Sequence, residues 1–171
     1  NMNRRYSAAE YAEKCELIRK FYPSPALTTD VIVGFPMETE EDFEESYEFV
    51  KNIHFYETHI FKYSRRQGTK AAVMEGQLTE AVKSIRSEKM IALHEIRAKE
   101  YETSMIGKTL ELLLEEEVEI NGKTYFMAHS KEYVRAVIEK TKDHKVNDLV
   151  RAKAVDFADE HVLLAICEEL Y

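Results

Sequence analysis

Ala26-Leu27-Thr28-Thr29-Asp30-Val31-Ile32-Val33-Gly34-Phe35-Pro36 decides the fold. The run is β-branched and apolar on both faces, which suits a parallel strand buried on both sides. Gly34-Phe35-Pro36 ends it. Thr39 then reads as a helix N-cap, with Glu40, Glu41 and Asp42 in the first turn, where the helix dipole favours carboxylates. Phe43, Tyr47, Val50 and Ile53 recur on one helical face, and Glu57-Thr58-His59-Ile60-Phe61-Lys62-Tyr63 reads as a second strand. Strand, helix and strand in about 35 residues make a βαβ unit with a right-handed crossover.

Upstream, Ser7 and Glu10 form a Ser-x-x-Glu capping box, followed by Ala8, Tyr11, Cys15, Ile18 and Tyr22 on one helical face. Pro23 and Pro25 stop that helix. Downstream, the polar stretch from Ser64 to Gln77 holds Gly68 and Gly76 and reads as a loop of functional length. A long helix is expected from about Leu78 to Ser104, with Val82, Ile85, Met90, Leu93 and Ile96 towards one side. The character changes at Met105-Ile106-Gly107. Leu110, Leu112 and Leu114 recur with a period of two, and Asn121-Gly122 is a strong hairpin signal before Thr124–His129. Tyr133–Glu139, Asp148–Val155 and Val162–Cys167 read as further short strands. The expected fold class is α/β plus all-β: residues 1–104 form βα units, and residues 105–171 form a small antiparallel barrel of the OB-fold kind.

The chain has 171 residues, 44% hydrophobic and 33% charged, which excludes a disordered chain. No apolar run approaches the roughly 18 residues of a membrane span, and no signal peptide opens the chain. A net charge of -8 disfavours indiscriminate nucleic-acid binding and leaves room only for a local basic patch. Two cysteines, Cys15 and Cys167, exclude a disulfide scaffold, an iron–sulfur cluster or a structural zinc site within this chain. Both read as small core hydrophobes. The six histidines show no metal-ligand pairing, so no metal site is expected. A cytoplasmic protein is the simplest reading. The opening Asn1-Met2-Asn3-Arg4-Arg5-Tyr6 has no targeting character, and a fragment of a longer protein is expected.

Three stretches carry a family resemblance: Met2-Asn3-Arg4-Arg5-Tyr6, Thr29 through Thr39, and His59-Ile60-Phe61-Lys62-Tyr63-Ser64-Arg65-Arg66-Gln67-Gly68-Thr69. In order and spacing they resemble the C-terminal half of the radical-SAM methylthiotransferases, and the small barrel resembles the TRAM domain that closes those enzymes. The resemblance spans essentially the whole chain. It implies the last βα units of a partial, TIM-like barrel, followed by an RNA-binding domain. It is strongest to the branch that adds a methylthio group to carbon 2 of N6-threonylcarbamoyladenosine beside the anticodon of tRNA. Sister branches act on isopentenyladenosine in tRNA or on a ribosomal-protein aspartate, and a non-catalytic RNA-binding module is the rival from another class.

The implied cofactors are S-adenosylmethionine and two [4Fe–4S] clusters, with an external electron donor for the clusters. The implied reaction begins with reductive cleavage of S-adenosylmethionine to a 5′-deoxyadenosyl radical, which removes hydrogen from adenine carbon 2; methylated sulfur then adds there. The cluster cysteines are expected upstream of Asn1, so no catalytic residue is expected here and the fragment alone should be inactive. The implied macromolecular partner is the tRNA anticodon stem-loop.

Ligands of parallel α/β sheets sit beyond the carboxyl ends of the strands, where Val33 to Pro36 fall. By resemblance, Asp30, Gly34, His59, Phe61 and Tyr63 line the cofactor. Gly34 would let it approach the backbone, and Asp30 would orient a polar group or hold an Arg, since an unpaired Asp in an apolar strand is costly. The resemblance departs at Met37, where the family usually has Gly; if that glycine takes a positive φ, the loop here must differ. Lys62, Arg65, Arg66 and Lys70 form a cationic stretch at the second strand's carboxyl end, suited to phosphate. The resemblance places Ser64, Arg66 and Thr69 near cofactor or substrate, Arg65 joins them as part of that cationic stretch, and Arg4 and Arg5 would extend the patch. In the barrel, Lys131, Tyr133 and Arg135 alternate along one run, placing a stacking ring between cations as loop-RNA platforms do. The acidic run Glu115–Glu119 is expected to face away from those cations.

Overall fold

The computed structural model describes residues 5–168. The chain forms two compact units, Asn1–Ala98 and Lys99–Tyr171, dividing inside the long helix rather than at the expected boundary after residue 104.

In the first unit, helix α1 (Ala8–Phe21) begins at Ser7, whose side chain and that of Glu10 complete a reciprocal capping box. Strand β1 (Thr28–Val33) leads into helix α2 (Glu40–Ile53), which opens on a second capping box between Thr39 and Asp42. Strand β2 (Glu57–Lys62) lies parallel to β1, with Asp30 opposite His59 and Ile32 opposite Phe61. The βαβ unit is therefore present. A 3-10 turn (Lys70–Val73) and helix α3 (Glu80–Thr103) follow.

One sheet face packs on the helices. Val33, Phe43, Val50, Ile53, Phe55, Met90, Leu93 and Cys15 form a common core, with Tyr11, Tyr47 and Ile60 against it. Fully burying Phe43 removes a phenyl ring from water, worth about 1.5–3 kcal/mol. The other face is open: Asp30, Ile32, His59 and Phe61 are exposed. Burial of β1 on both sides is thus not observed, because β1 and β2 form a two-stranded sheet with helices on one side only. Two helical stripes also differ from expectation. Ile18 and Tyr22 are exposed on α1, and Ile85 and Ile96 on α3. The buried stripe of α3 instead runs Lys83, Arg86, Met90, Leu93, so its first two turns bury cations.

In the second unit, β3 (Thr109–Ile120), β4 (Lys123–Ser130), β5 (Arg135–Glu139), β6 (Leu149–Asp159) and β7 (Val162–Cys167) close a barrel in the order β3-β4-β5-β7-β6. Four of its pairings are antiparallel, but β5 and β7 are parallel, so the barrel is not wholly antiparallel. Asn121 and Gly122 both take positive φ, the conformation a two-residue hairpin turn requires. Leu110, Leu112, Leu114, Phe126, Ile138 and Leu163 are buried, whereas Glu111 and Leu113 point outward. A bulge between Leu114 and Glu116 shifts the alternation, and Val118 and Ile120 join a second cluster around Met127, Val137 and Val162.

Candidate functional site

The carboxyl ends of β1 and β2 bring most of the expected site residues of the first unit together. Asp30 and His59 are register partners, and Ile32 and Phe61 follow on the same open face, where Phe61 is 52% exposed. Asp30 is solvated and holds no Arg among the described residues, so the burial cost expected for it does not arise. Just beyond the strands, the Tyr63 N–H donates to the Val33 carbonyl (2.8 Å) and extends the ladder by one rung. The Tyr63 ring packs edge-on against Phe35 at 5.3 Å, and its hydroxyl is buried with no hydrogen-bond partner. An orphaned buried hydroxyl of this kind costs about 1–3 kcal/mol unless a ligand or another chain segment satisfies it.

Gly34 has φ +75°, and a side chain there would collide with the aliphatic stem of Lys83, whose Cγ lies 2.4 Å from the ideal Cβ position. The close approach that demands glycine is therefore made by Lys83. The Lys83 ammonium donates to the Tyr63 carbonyl (3.0 Å), pairs with Glu80 (2.8 Å) and lies 5.5 Å from the Tyr63 ring centroid.

Beside it, Arg86 donates to the Glu38 carboxylate (2.6 Å), the Glu38 carbonyl (3.1 Å) and Glu40 (3.0 Å). Glu38 also accepts the Gly34 N–H at 2.7 Å. Burial opposes the Arg86 charge, but the bonds from Glu38 and Glu40 outweigh it and raise its pKa. The Arg86 hydrogen bond in turn holds the Glu40 carboxyl below its ordinary value. Met37 does take a positive φ, +70°, so the loop keeps the conformation a glycine would favour. Its N–H donates to the Gly76 carbonyl at 2.8 Å, which ties down a strained residue.

Sequence reasoning missed Lys83 and Arg86. The signal was available: 83, 86, 90 and 93 continue the 3-4 spacing of the buried face, and Glu38 and Glu40 needed a partner.

Ser64, Arg65, Arg66, Gln67, Gly68 and Thr69 form an exposed loop, and the exposed Lys70 opens the 3-10 turn. Arg65 and Arg66 make no side-chain hydrogen bond or ion pair among the described residues, whereas the Thr69 hydroxyl donates to the Arg66 carbonyl (2.8 Å) and caps the 3-10 turn through the Ala72 N–H. Arg5 is exposed, and Arg4 lies outside the described residues.

The barrel trio differs from expectation. Lys131 and Tyr133 lie in the β4–β5 turn, not on a strand, and Tyr133 has φ +62° and is 78% exposed. The Ser130 hydroxyl accepts the Glu132 and Val134 N–H groups and sets that turn. Lys131 pairs loosely with Glu111 (3.7 Å) and Glu132 (4.0 Å), and Arg135, at the start of β5, donates to the Met127 sulfur at 4.0 Å. Within the acidic run, Glu117 is 2.5 Å from Lys140, and Glu115 is 2.7 Å from His129.

Cys15 is buried and Cys167 half-buried, burial raises both thiol pKa values, and no group of three metal ligands occurs among the described residues. No described helix is long and apolar enough to cross a membrane.

No protein-family model matches the chain. It is 40% identical over 153 residues to the threonylcarbamoyladenosine tRNA methylthiotransferase MtaB of Bacillus subtilis, covering 89% of this chain and 34% of that protein. It is 38% identical over 167 residues to a tRNA-2-methylthio-N(6)-dimethylallyladenosine synthase of Streptomyces coelicolor, covering 96% of this chain and 33% of that protein. A synthase of the same name from Caldicellulosiruptor saccharolyticus is 41% identical over 114 residues, 67% of this chain and 24% of that protein. The chain belongs to the methylthiotransferase family and corresponds to a C-terminal piece of such a protein. It spans about a third or less of the length of these curated relatives.

Proposed function

We propose that the intact protein is a tRNA methylthiotransferase acting on N6-threonylcarbamoyladenosine beside the anticodon. The observation that carries this reading is the 40% identity to the Bacillus subtilis enzyme across 89% of this chain. Residues 1–104 form the end of a radical-SAM domain of partial, TIM-like barrel form. Residues 105–171 form a TRAM-type, OB-like domain. The order first-second-third-fifth-fourth of its strands and their closure support that assignment.

When bound, S-adenosylmethionine and two [4Fe–4S] clusters supply the radical and sulfur chemistry, with the cluster ligands outside this chain and an electron donor as a further partner. The residues of this chain position the reactants. Asp30, His59, Phe61 and the orphaned Tyr63 hydroxyl face the cofactor, and the Gly34 loop is fixed by Lys83, Glu38 and Arg86. Ser64, Arg65, Arg66 and Thr69 meet the tRNA near the modified base; Lys131, Tyr133 and Arg135 meet it from the barrel turn. A cytoplasmic location follows from this substrate.

A second reading keeps the chemistry and changes the base to the dimethylallyl (isopentenyl) form, since relatives of that name are 38–41% identical. Nucleoside mass spectrometry of bulk tRNA from cells with and without the parent gene separates the two. Loss of the methylthio mass from threonylcarbamoyladenosine is expected. Loss from the isopentenyl nucleoside would transfer the assignment to the second reading, and no change in either would overturn both. In the full-length protein, Arg65→Glu with Arg66→Glu should weaken tRNA binding and lower its salt slope by about one per arginine.

A further inference from the structure

Arg65 and Arg66 are exposed, and neither side chain makes a hydrogen bond or ion pair among the described residues. The place of their charges is therefore set by the backbone of the β2–α3 loop that carries them. That backbone is fastened to the β1–α2 segment at both ends. At its entrance the Tyr63 N–H donates to the Val33 carbonyl (2.8 Å), and the Tyr63 ring meets Phe35. At its exit the Gly76 carbonyl accepts the Met37 N–H at 2.8 Å.

From that exit a path of hydrogen bonds leads back to the arginines. Gln77 donates its amide to the Ala71 carbonyl (2.9 Å) and the Met74 carbonyl (3.0 Å), which holds the 3-10 turn against Gly76. Thr69 caps that turn, accepting the Ala72 N–H at 3.3 Å, and its hydroxyl donates to the Arg66 carbonyl at 2.8 Å. Gly76 is itself close-packed. Met37 Cγ lies 2.8 Å, and the Met37 backbone N and Cα 3.3 Å, from the position of an ideal Cβ. Of the five glycines in the chain, only Gly34 and Gly76 have a neighbour within 4 Å of that position, and each sits on one of the two loops.

We propose that Gly76 and Gln77 are positioning residues: they fasten the β2–α3 loop to Met37, so that Arg65 and Arg66 meet tRNA at a fixed place relative to the β1–α2 loop. The inference rests on the tRNA reading above and adds what places that contact. A pre-ordered loop loses less conformational freedom on binding and so binds more tightly. A base held about 1 Å out of place can lose on the order of a hundredfold in rate, which gives the fastening a use beyond affinity.

The test is a mutant cycle read by binding of an unmodified tRNA transcript to the full-length protein. Gly76→Ala drives a Cβ into Met37, whereas Gln77→Ala removes the two bonds to the turn and adds no atom. Each should weaken binding by roughly threefold to tenfold in the wild-type background, and by nothing further once Arg65→Glu and Arg66→Glu are present. Equal losses in the two backgrounds are the mark of a merely structural defect and would overturn the proposal, as would unchanged affinity in the wild-type background. Where Gly76→Ala loses its thermal transition, Gln77→Ala decides. Without tRNA, trypsin cleavage after Arg65 and Arg66, followed by mass spectrometry, should be several-fold faster in Gln77→Ala than in wild type. Equal cleavage rates would show that Gln77 does not hold the loop and would overturn its role. If the wild-type protein fails to bind the transcript, or the Arg65→Glu, Arg66→Glu variant binds like wild type, the tRNA reading of this loop falls and takes the proposal with it.

Discussion

Every barrel strand has hydrogen-bonded neighbours on both sides, whereas β1 and β2 each have one among the described residues. The barrel turns Leu112, Leu114 and Phe126 inward and leaves charged side chains on its surface. The two-stranded sheet buries one face under its helices and exposes Ile32 and Phe61 on the other. A two-stranded sheet is marginal by itself, and here the helices stabilise it from one side only. The comparison separates a sheet whose strand pairing is complete within the described residues from one whose two strands each keep an unpaired edge among them. The expected cofactor residues Asp30, His59 and Phe61 lie on the exposed face of the latter.

The largest test of this contrast is a pair of truncations. Leu112→Ala, inside the barrel, should cost about 3 kcal/mol in denaturant unfolding, whereas Ile32→Ala on the open face should cost less than about 0.5 kcal/mol. Similar costs at the two positions would show that the open face is covered in solution. Next comes the support beneath the open sheet's carboxyl end. Arg86→Ala leaves the Glu38 carboxylate, 12% exposed, without its cation and should cost about 3 kcal/mol. Lys89→Ala removes exposed pairs with Glu40 and Glu44 and an ammonium 5.4 Å from the Phe43 ring centroid, and should cost about 1 kcal/mol. An Arg86 effect as small as that of Lys89 would mean the β1–α2 loop is held by its backbone alone. The smallest effect concerns Met37. Met37→Gly removes left-handed strain but adds unfolded-state entropy, for a net stabilisation of about 0.5 kcal/mol in thermal melts. A lower melting temperature would show that the packing lost with the Met37 side chain outweighs the strain.

The βαβ unit was legible because local signals agreed: the Thr39 cap, the Phe43–Ile53 stripe and the β-branched run before Gly34 point to the same elements. The barrel strands were legible from the period of two and the Asn121-Gly122 turn. What the sequence left obscure depends on partners distant in the chain. Burial of Arg86 follows from Glu38 and Glu40, more than forty residues earlier. The exposure of Ile85 is the other side of that choice, since one helix face cannot bury both. Tyr133 misled for a different reason: alternation with Lys131 and Arg135 mimics a strand, but the Ser130 hydroxyl folds a turn there. The candidate cofactor residues were placed on a common face by strand register, which spacing alone does not fix for the neighbouring strand.

The position of β7 has a consequence for how the barrel is made. It follows β6 in the chain, yet it sits between β5 and β6 and pairs with both. During synthesis β3, β4 and β5 emerge able to pair in turn, and β6 can join β3. The gap between β5 and β6 stays open until Val162–Cys167 has left the ribosome. Through that interval Ile138, Ala152 and Ala154 lie beside unpaired backbone, the kind of edge that recruits foreign strands. Chains interrupted before residue 162 should therefore be the aggregation-prone species of this protein, and closing the barrel waits on Val162–Cys167.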